Sequence, residues 1–471
     1  MKRFIAALRR RVQVSLRVMR HAPLKRKMQD LQSPQMQALV KEAASLEPGI
    51  LFPGGPRKTS LPPYAHDAAP LLKHGRLLEQ AAGSESTQAV VLVASLNHMS
   101  GAARCGLKMA QALQRCMPGQ RILLVPTEAA GIQLAPPGKK MPEVLDFASI
   151  VPPSLPLKFR CLLLLDMLRG LQVRCVINAN SALGWDLLLN YGRQLRHWAD
   201  LYAYMFCWDV DRKGRRKGYP LQQYPAAFSL LNGAFFDSHA LREEIVQRHM
   251  LPPALQQRLL TIHTPMDMED LPDLTAQAGA RFAFDSPVNA LWAGRFDKQK
   301  RPDLAMQIAR LVPDMRLHMY GRRVFGGVRI NRFTSPRNLL FKGSYRTFGD
   351  LPLHELDFLL YTSRWDGLPT VIIEAAVSGL PIVAPLIGGI GDLLDDSTAW
   401  LVPDPDDVHS YVRTIHNMLA NPQLATAKAR ALRERALKLC NEDRYVSHIC
   451  GFLSQTRQQL PPGERIEKGC P

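Results

Sequence analysis

Short apolar runs that alternate with helical patterns, in two successive series, most constrain how this chain can fold. The first series begins with a continuous apolar run at residues 89–94, followed by a helical pattern at residues 103–115. Continuous apolar runs of this length are typical of parallel strands that are buried on both faces. A second series begins at residue 288, after a turn-rich segment at residues 265–287. The sequence therefore predicts two doubly wound α/β units in tandem.

Each unit contains further apolar runs that predict its other strands. These predicted strands lie at residues 121–125, 173–177, 201–207, 233–236 and 259–262 in the first unit, and at residues 288–293, 315–320, 338–341, 357–361, 381–384 and 399–402 in the second. Ligands of such sheets bind in the crevice outside the carboxyl ends of the strands. The loops that follow the strands are therefore the first places to look for a site.

The N-terminal segment carries much of the positive charge of the chain. The formal net charge is +19, and residues 1–27 hold ten basic residues with no acidic residue before Asp30. Apolar residues recur among them at helical spacing, which is typical of a basic amphipathic helix on an anionic membrane surface. A mitochondrial presequence and a basic helix packed on the protein's own surface have similar patterns. Residues 47–87, rich in Pro, Gly, Ser and Ala, predict a poorly structured linker.

The spacing of the cysteines and the hydropathy of the chain predict where in the cell the protein is located. The eight cysteines are scattered, with no Cys-x-x-Cys pair and no Cys/His cluster at zinc spacing. This pattern favours a reducing compartment, mostly buried thiols and no structural metal. The apolar run at residues 161–165 ends at Asp166, far short of the roughly 20 apolar residues that a membrane-spanning helix needs. We therefore expect no transmembrane helix.

The segment at residues 363–385 predicts a loop, a helix and a buried strand with two carboxylates at their junction. Pro369 suits the first position of a helix and Gly379 suits its end, so the helix should run over residues 369–378. Its first-turn amides and positive dipole end would face a ligand in the preceding loop, which suits phosphate oxygens. Asp366 lies in that loop, and Glu374 lies more than one turn inside the helix.

This segment resembles the retaining glycosyltransferase family 4, also called group 1, whose members use nucleotide sugars and have the GT-B fold. The resemblance rests on an acidic residue followed by Gly-Leu-Pro-Thr, a Glu eight positions after the acid, a Gly-Leu-Pro-Ile-Val-Ala stretch and a Gly-Gly pair, at residues 366–389. Two departures are present. Asp366 stands where the family usually has Glu, and Gly391 and Asp392 stand where the family usually has Pro-Glu.

The resemblance implies a donor site in the second unit. It implies that Arg295 and Lys300, which follow the first strand of that unit, bind the donor's diphosphate, that Asp366 positions the sugar, and that Glu374 holds the ribose. Arg295, Lys300 and Asp366 are thus the catalytic candidates. Preorganised cations suit a leaving diphosphate, because they stabilise charge that develops as the sugar bond breaks. The further donor-binding candidates are Gly101, Gly294, Gly367, Leu368 and Thr370.

Three candidates in the first unit rest on weaker signals. Gly101 lies in a small-residue loop at the position of the family's Gly-Gly-Ala-Glu-Arg motif, and His98 precedes it. Asp209 follows a predicted strand, where the family often has His-Asp. Asp209 and Asp211 also form an Asp-x-Asp string, which in the other large glycosyltransferase fold, GT-A, holds a divalent ion. Because Arg295 and Lys300 can contact the diphosphate, we expect no metal and no other cofactor.

The expected organisation is therefore an α/β GT-B protein with two Rossmann-like domains facing across a cleft and a basic N-terminal extension. Its expected parts are the arm and linker at residues 1–87, an acceptor-side domain at 88–275, a nucleotide-sugar domain at 276–440, and a crossover helix and tail at 441–471.

The expected function is transfer of a sugar, with retention, from a nucleotide sugar to a growing glycan, such as a lipid-linked bacterial surface polysaccharide. The expected location is the cytoplasm, at the inner face of the cytoplasmic membrane. The basic run at residues 212–217 suits an anionic lipid or a nucleic acid, and its other interpretation is a solvated surface loop. Without stacking aromatics or a recognisable RNA-binding module, we expect no nucleic-acid partner. The alternatives are a non-catalytic GT-B scaffold that binds a nucleotide sugar or glycan, and a basic nucleic-acid-binding protein.

Overall fold

The computed structural model describes residues 68–96, 100–132, 141–211, 213–265, 271–280, 282, 287–323 and 335–458. The chain divides into two compact units, Met1–Leu77 and Leu78–Pro471. Both large sheets lie in the second unit. The basic segment at residues 1–27, for which we predict an amphipathic helix, lies outside the described residues.

The first half of the second unit is built on a seven-stranded parallel sheet. Its spatial order is β3-β2-β1-β4-β5-β8-β9, so the strand order reverses between β1 and β4. Its buried strands, such as Ala89–Leu96 and Cys175–Ala179, are apolar on both faces, as parallel strands between helix layers must be. The strands of this half, including a short hairpin of β6 and β7, are β1 (Ala89–Leu96), β2 (Ile122–Ile132), β3 (Glu143–Val144), β4 (Cys175–Ala179), β5 (Asp200–Met205), β6 (Asp209–Val210), β7 (Arg216–Lys217), β8 (Gly233–Phe236) and β9 (Leu259–Thr261).

Helices connect these strands. The helix after β1 begins at Gly101 because the Ser100 side chain accepts a hydrogen bond from the Ala103 amide at 3.2 Å. Its apolar side packs in the same buried cluster as β1. The helices are α1 (Ala68–Ala82), α2 (Gly101–Cys116), α3 (Phe147–Ile150), α4 (Leu157–Gly170), α5 (Ala182–Arg196), α6 (Gln223–Ala227), α7 (His239–Arg248) and α8 (Pro253–Gln256).

A six-stranded parallel sheet forms the second half. Its order is β12-β11-β10-β13-β14-β15, so the strand order reverses between β10 and β13. Buried apolar clusters cover both faces of the sheet. The strands are β10 (Val288–Ala293), β11 (Met315–Tyr320), β12 (Leu339–Gly343), β13 (Phe358–Leu360), β14 (Ile382–Pro385) and β15 (Trp400–Val402), and the helices are α9 (Pro302–Leu311), α10 (Thr370–Val377), α11 (Val408–Leu419), α12 (Pro422–Leu439) and α13 (Glu442–Gln458).

The last helix returns to the first half. Tyr445, Ile449 and Phe452 of α13 are buried in the same apolar cluster as β1 and α2. The chain therefore crosses back after the second sheet, in the region where the sequence predicts a crossover helix. All the predicted strands of both sheets are confirmed. The end of β2 at Ile132 lies seven residues beyond its predicted end, and the other boundaries differ by at most two residues.

Two expectations require correction. The predicted linker contains α1 at Ala68–Ala82, whose leucines recur at helical spacing. The cysteine pattern favours a reducing compartment, but Cys116 on α2 and Cys450 on α13 form a disulfide. Their positions are 334 residues apart, so only the packing of these two helices brings them together. Of the five cysteines described as free, four are buried, as expected, and Cys207 is partly buried.

The structure also bears on membrane association. None of the helices within the described ranges is both long enough and apolar enough to cross a membrane.

Candidate active site

Helix α10 forms the centre of the candidate site. Pro369 takes the N-cap position, one residue before the position predicted for it, and Gly379 ends the helix with a φ of +74°. A left-handed backbone favours glycine, and the Leu380 amide caps the helix by donating to the Ala375 carbonyl at 3.0 Å. Most of α10 is buried. Its N-terminal end therefore has a fixed position next to the loop that holds Asp366, and the Ile372 amide donates to the Pro369 carbonyl at 3.0 Å.

Lys300 and Asp366 form the core of a polar cluster in front of this helix. The Lys300 Nζ contacts Asp366 Oδ2, and these side chains are only 15% and 12% exposed. The Tyr361 hydroxyl donates to the same carboxylate and accepts from Lys300 at 3.2 Å. Gln299 Nε2 donates to Asp366 Oδ1 at 3.3 Å. Burial and the Asp366 charge raise the pKa of Tyr361 well above its ordinary value, so this hydroxyl stays neutral.

The position of this cluster follows from the strand order. Lys300 lies in the loop after β10, and Tyr361 and Asp366 lie after β13. β10 and β13 are the neighbouring strands at which the order of the second sheet reverses. The carboxyl ends of such a pair diverge into a crevice, which is where ligands of doubly wound sheets bind.

Arg295 lies at the surface beside the cluster. Its side chain is 57% exposed, its Nε is 3.0 Å from Asp297, and its guanidinium donates to Gln299 at 2.7 Å. The preceding Gly294 lies close to Lys300, since a Cβ at Gly294 would be 3.4 Å from Lys300 Cγ. The two predicted cations thus differ in exposure: Lys300 is partly buried and paired with Asp366, whereas Arg295 is exposed and paired with Asp297.

Glu374 is paired across the two halves of the unit. Arg104 of α2 donates to its carboxylate, and the Glu374 side chain is 6% exposed. Gly101, at the start of α2, lies next to Thr370, with 3.8 Å between a Cβ placed on Gly101 and the Thr370 methyl. The structure therefore brings the loop before α2 against the first turn of α10. Arg104 was not among the predicted site residues.

Asp237 is a second residue that the sequence prediction missed. It follows β8, and its Oδ2 would be only 1.9 Å from a Cβ at Gly367. The Leu368 amide and the Ser238 hydroxyl donate to its carboxyl group. Burial, and to a smaller extent the charges of Asp366 and Asp392, raise the pKa of Asp237 to about 7. The sequence signal that could have identified Asp237 is a polar residue directly after a buried parallel strand.

Asp209 and Asp211 have local partners. Asp209 is exposed and accepts from the Val210 amide at 2.7 Å. Asp211 binds the Arg215 side chain and the backbone of the same turn. This carboxylate therefore stabilises the β6–β7 hairpin. His98 lies outside the described residues.

The basic run is partly neutralised. Arg216 pairs with Glu244 at 2.9 Å and its guanidinium lies 4.2 Å from the centroid of Trp208. Trp208 in turn stacks on Trp365, with ring centroids 6.3 Å apart and an interplanar angle of 18°. The hairpin is therefore attached to the loop that carries Asp366. The basic run is therefore not entirely a solvated loop, because Arg216 has fixed partners.

Two Rossmann-like sheets whose strand-end loops meet at Asp237 and Gly367 define the GT-B class of fold. Solved structures agree with this assignment. HepE of Anabaena, in complex with UDP-glucose, aligns with a TM-score of 0.60 at 14% identity over 78% of this chain and 99% of that chain. Sucrose-phosphate synthase of Thermosynechococcus elongatus aligns with a TM-score of 0.56 at 17% identity over 79% of this chain and 100% of that chain. At such identities the likeness shows the fold.

The sequence comparisons give a more specific similarity, which lies in the second half of the chain. Residues 287–421 match the family model described as glycosyl transferases group 1. The O-antigen biosynthesis glycosyltransferase WbnH of Escherichia coli is 28% identical over 122 residues, which are 25% of this chain and 34% of WbnH. The chain thus matches about a third of the length of this relative. The part of the chain that is similar to group 1 glycosyl transferases thus contains the cluster around Asp366.

Proposed function

We propose that this protein is a nucleotide-sugar-dependent glycosyltransferase that acts with retention on a growing glycan. The observation that carries the proposal is the Lys300–Asp366–Tyr361 cluster at the N-terminus of α10. It places a cation for phosphate and a carboxylate for sugar hydroxyls in one crevice, at the positive dipole end of a helix. The group 1 match covers these residues and supports the same interpretation.

Each donor group has a proposed partner. Lys300 and the exposed side chain of Arg295 bind the diphosphate, and Gly367, Leu368 and Thr370 line its site. Glu374 accepts hydrogen bonds from the ribose, and Asp366 binds a sugar hydroxyl. The cations stabilise the charge that develops on the leaving diphosphate. We therefore propose that the diphosphate needs no divalent ion.

Asp366 is not proposed as a nucleophile. Its carboxylate already interacts with Lys300, Tyr361 and Gln299, which restricts it and lowers its reactivity. In the resembling enzymes the departing diphosphate is thought to accept the acceptor's proton. The carboxylates Asp366 and Glu374 therefore do not form a glycosidase-type pair of acid and nucleophile.

The proposed acceptor is a lipid-linked glycan of a bacterial surface polysaccharide. The similarity to an O-antigen glycosyltransferase supports this class. The excess of basic residues at positions 1–27 and 212–217 supports binding to an anionic membrane surface, at its cytoplasmic face. The Cys116–Cys450 disulfide is the one observation that argues against a reducing compartment.

A nucleotide-sugar screen tests the proposal. The purified chain is first screened by thermal shift against UDP-, GDP-, ADP- and dTDP-sugars, and the stabilising donors are then assayed for hydrolysis and transfer. We expect one nucleotide class to raise Tm and to release nucleoside diphosphate. Stabilisation without hydrolysis or transfer, tested with membrane extracts as acceptor, would instead identify a non-catalytic scaffold. A liposome–RNA competition tests the membrane partner, and preference for RNA would reject it.

A further inference from the structure

Three side chains of metal-ligand type converge where the two halves of the second unit meet. They are His239 at the first residue of α7, His263 just after β9, and Asp392 at the end of the 3-10 turn Gly388–Asp392. One ligand atom from each lies within 4.8 Å of the others. In the part of the chain that the structure describes, no other group of three such residues converges in this way. Asp392 is one of the two departures from the family pattern.

Two of these side chains are already fixed. His263 Nε2 lies 2.8 Å from Asp392 Oδ2, and these side chains are 5% and 8% exposed. The His239 amide also donates to Asp392 Oδ2 at 2.8 Å, so the carboxylate caps α7 from the other half. The exposed His239 ring lies beside His263, with ring centroids 5.6 Å apart.

We propose that His239, His263 and Asp392 bind a zinc-type transition-metal ion that links the two halves of the unit. Zinc binds imidazole nitrogens and carboxylate oxygens at about 2.0–2.2 Å, so two ligand atoms of a tetrahedral site lie about 3.3 Å apart. The His263–Asp392 contact has only to open slightly, and the exposed His239 ring can rotate to complete the set. Two imidazoles argue against Mg²⁺ and Ca²⁺, which prefer oxygen ligands.

The surrounding charges permit a cation. Arg242, Arg444 and His448 line the adjoining cavity, whose volume is about 280 Å³. Arg242 is paired with Glu243, and Arg444 is exposed to solvent, which screens its charge. Water is the candidate for a fourth coordination position.

The ion would act on the candidate active site through one short turn. Asp392 ends the turn that begins at Gly388, and a Cβ at Gly388 would lie 1.9 Å from the Asp366 carbonyl oxygen. Gly389 lies against Ser238 of the first half. An ion at Asp392 would therefore hold this turn, and with it the loop of Asp366, against the first half. This proposal is independent of the sugar-transfer chemistry.

The experiment measures zinc binding by the full-length chain without any nucleotide sugar. Metal is removed with a chelator, ZnCl₂ is titrated calorimetrically, and bound zinc is counted after dialysis. His239→Ala removes an exposed ring, and Asp392→Asn removes the anionic ligand while keeping an oxygen that can cap α7. His416→Ala is the matched control, because this histidine is exposed on α11.

We expect one zinc ion per chain in the wild type and in His416→Ala. Loss of an outer-shell partner typically weakens metal binding about 10- to 100-fold, so loss of a ligand in His239→Ala or Asp392→Asn should weaken it at least 10-fold. Zinc should raise the Tm of the wild type and the control but not of the two ligand variants. Co²⁺ in place of zinc should give the visible absorption of a tetrahedral site. Equal zinc affinity in all four proteins, or none in the wild type, would overturn the proposal.

Discussion

Arg104 donates a hydrogen bond to the Glu374 carboxylate and so joins α2 of the first half to α10 of the second. Both groups are largely buried, with 23% and 6% of their side chains exposed. A buried charge that loses its partner is strongly destabilising. A ribose hydroxyl is neutral and does not replace the guanidinium. We therefore expect a bound nucleotide to share Glu374 with Arg104.

Glu374→Gln should weaken binding of the free nucleoside diphosphate, whereas Asp366→Asn should leave it nearly unchanged. A hydrogen bond to a charged group contributes roughly 1.5–3 kcal/mol, which corresponds to about 10- to 100-fold in Kd. Asp366 is proposed to touch only the sugar, so its replacement should lower transfer instead. Calorimetry with the free nucleoside diphosphate provides the contrast.

Asp366→Glu is the matched variant for the sugar contact. It restores the residue that the resembling family uses, and we expect it to keep transfer activity with a changed donor preference. Equal losses of nucleotide affinity in Glu374→Gln and Asp366→Asn would show that the two roles are divided wrongly. No loss of binding or transfer in either variant would favour the scaffold function.

Lys300→Ala and Arg295→Ala should each lower kcat/KM by on the order of 10²-fold or more, because each removes a cation from the developing diphosphate charge. Lys300→Ala should also lower the free energy of unfolding, since it leaves the Asp366 carboxylate without its ammonium partner. Arg295→Ala should not, because Arg295 is 57% exposed. Lys298→Ala, in the same loop and exposed, is the control. Activity within about threefold of the wild type for both variants would remove these residues from the diphosphate site.

Gly367→Ala should lower transfer activity and stability. Its Cβ would lie 1.9 Å from Asp237 Oδ2, so either the Asp237 side chain or the loop of Asp366 must move. Gly391→Ala is the matched control, because its Cβ would meet only Leu386 at an ordinary 3.5 Å. Thermal unfolding and steady-state kinetics of both variants make the comparison. If both alanine variants behave alike, the close approach of Asp237 to Gly367 is not required.

Asp237→Asn should change how stability depends on pH. In the wild type the raised pKa means that the folded protein holds this proton more tightly than the unfolded chain. The free energy of unfolding should therefore receive a decreasing contribution as pH rises from 3.8, the ordinary pKa, to about 7. The asparagine variant lacks this contribution.

Urea unfolding of Asp237→Asn and of the wild type at pH 5 and pH 8 measures the effect. The other titrating groups are the same in both proteins, so their contributions cancel in the comparison. We expect the wild type to lose more stability than the variant between these values. Identical losses would mean that Asp237 ionises as easily in the folded as in the unfolded protein.

The two-sheet architecture and the position of α10 were predictable from local sequence. Buried parallel strands such as Ala89–Leu96 leave continuous apolar runs, and the Pro369 and Gly379 signals delimit α10 to within one residue. Both kinds of signal arise because backbone geometry restricts residue type locally. The linker prediction failed at α1, where composition outweighed the helical spacing of its leucines.

The partners of the predicted residues were decided only by tertiary structure. Glu374 is 270 residues from Arg104, and Asp392 is 129 residues from His263. Cys116 and Cys450 meet because α13 crosses back to the first sheet. Sequence determines which segments become strands and helices, through short-range sterics and the burial of apolar side chains. Which charges then neutralise each other depends on the packing of distant segments, and no local pattern in one chain encodes that packing.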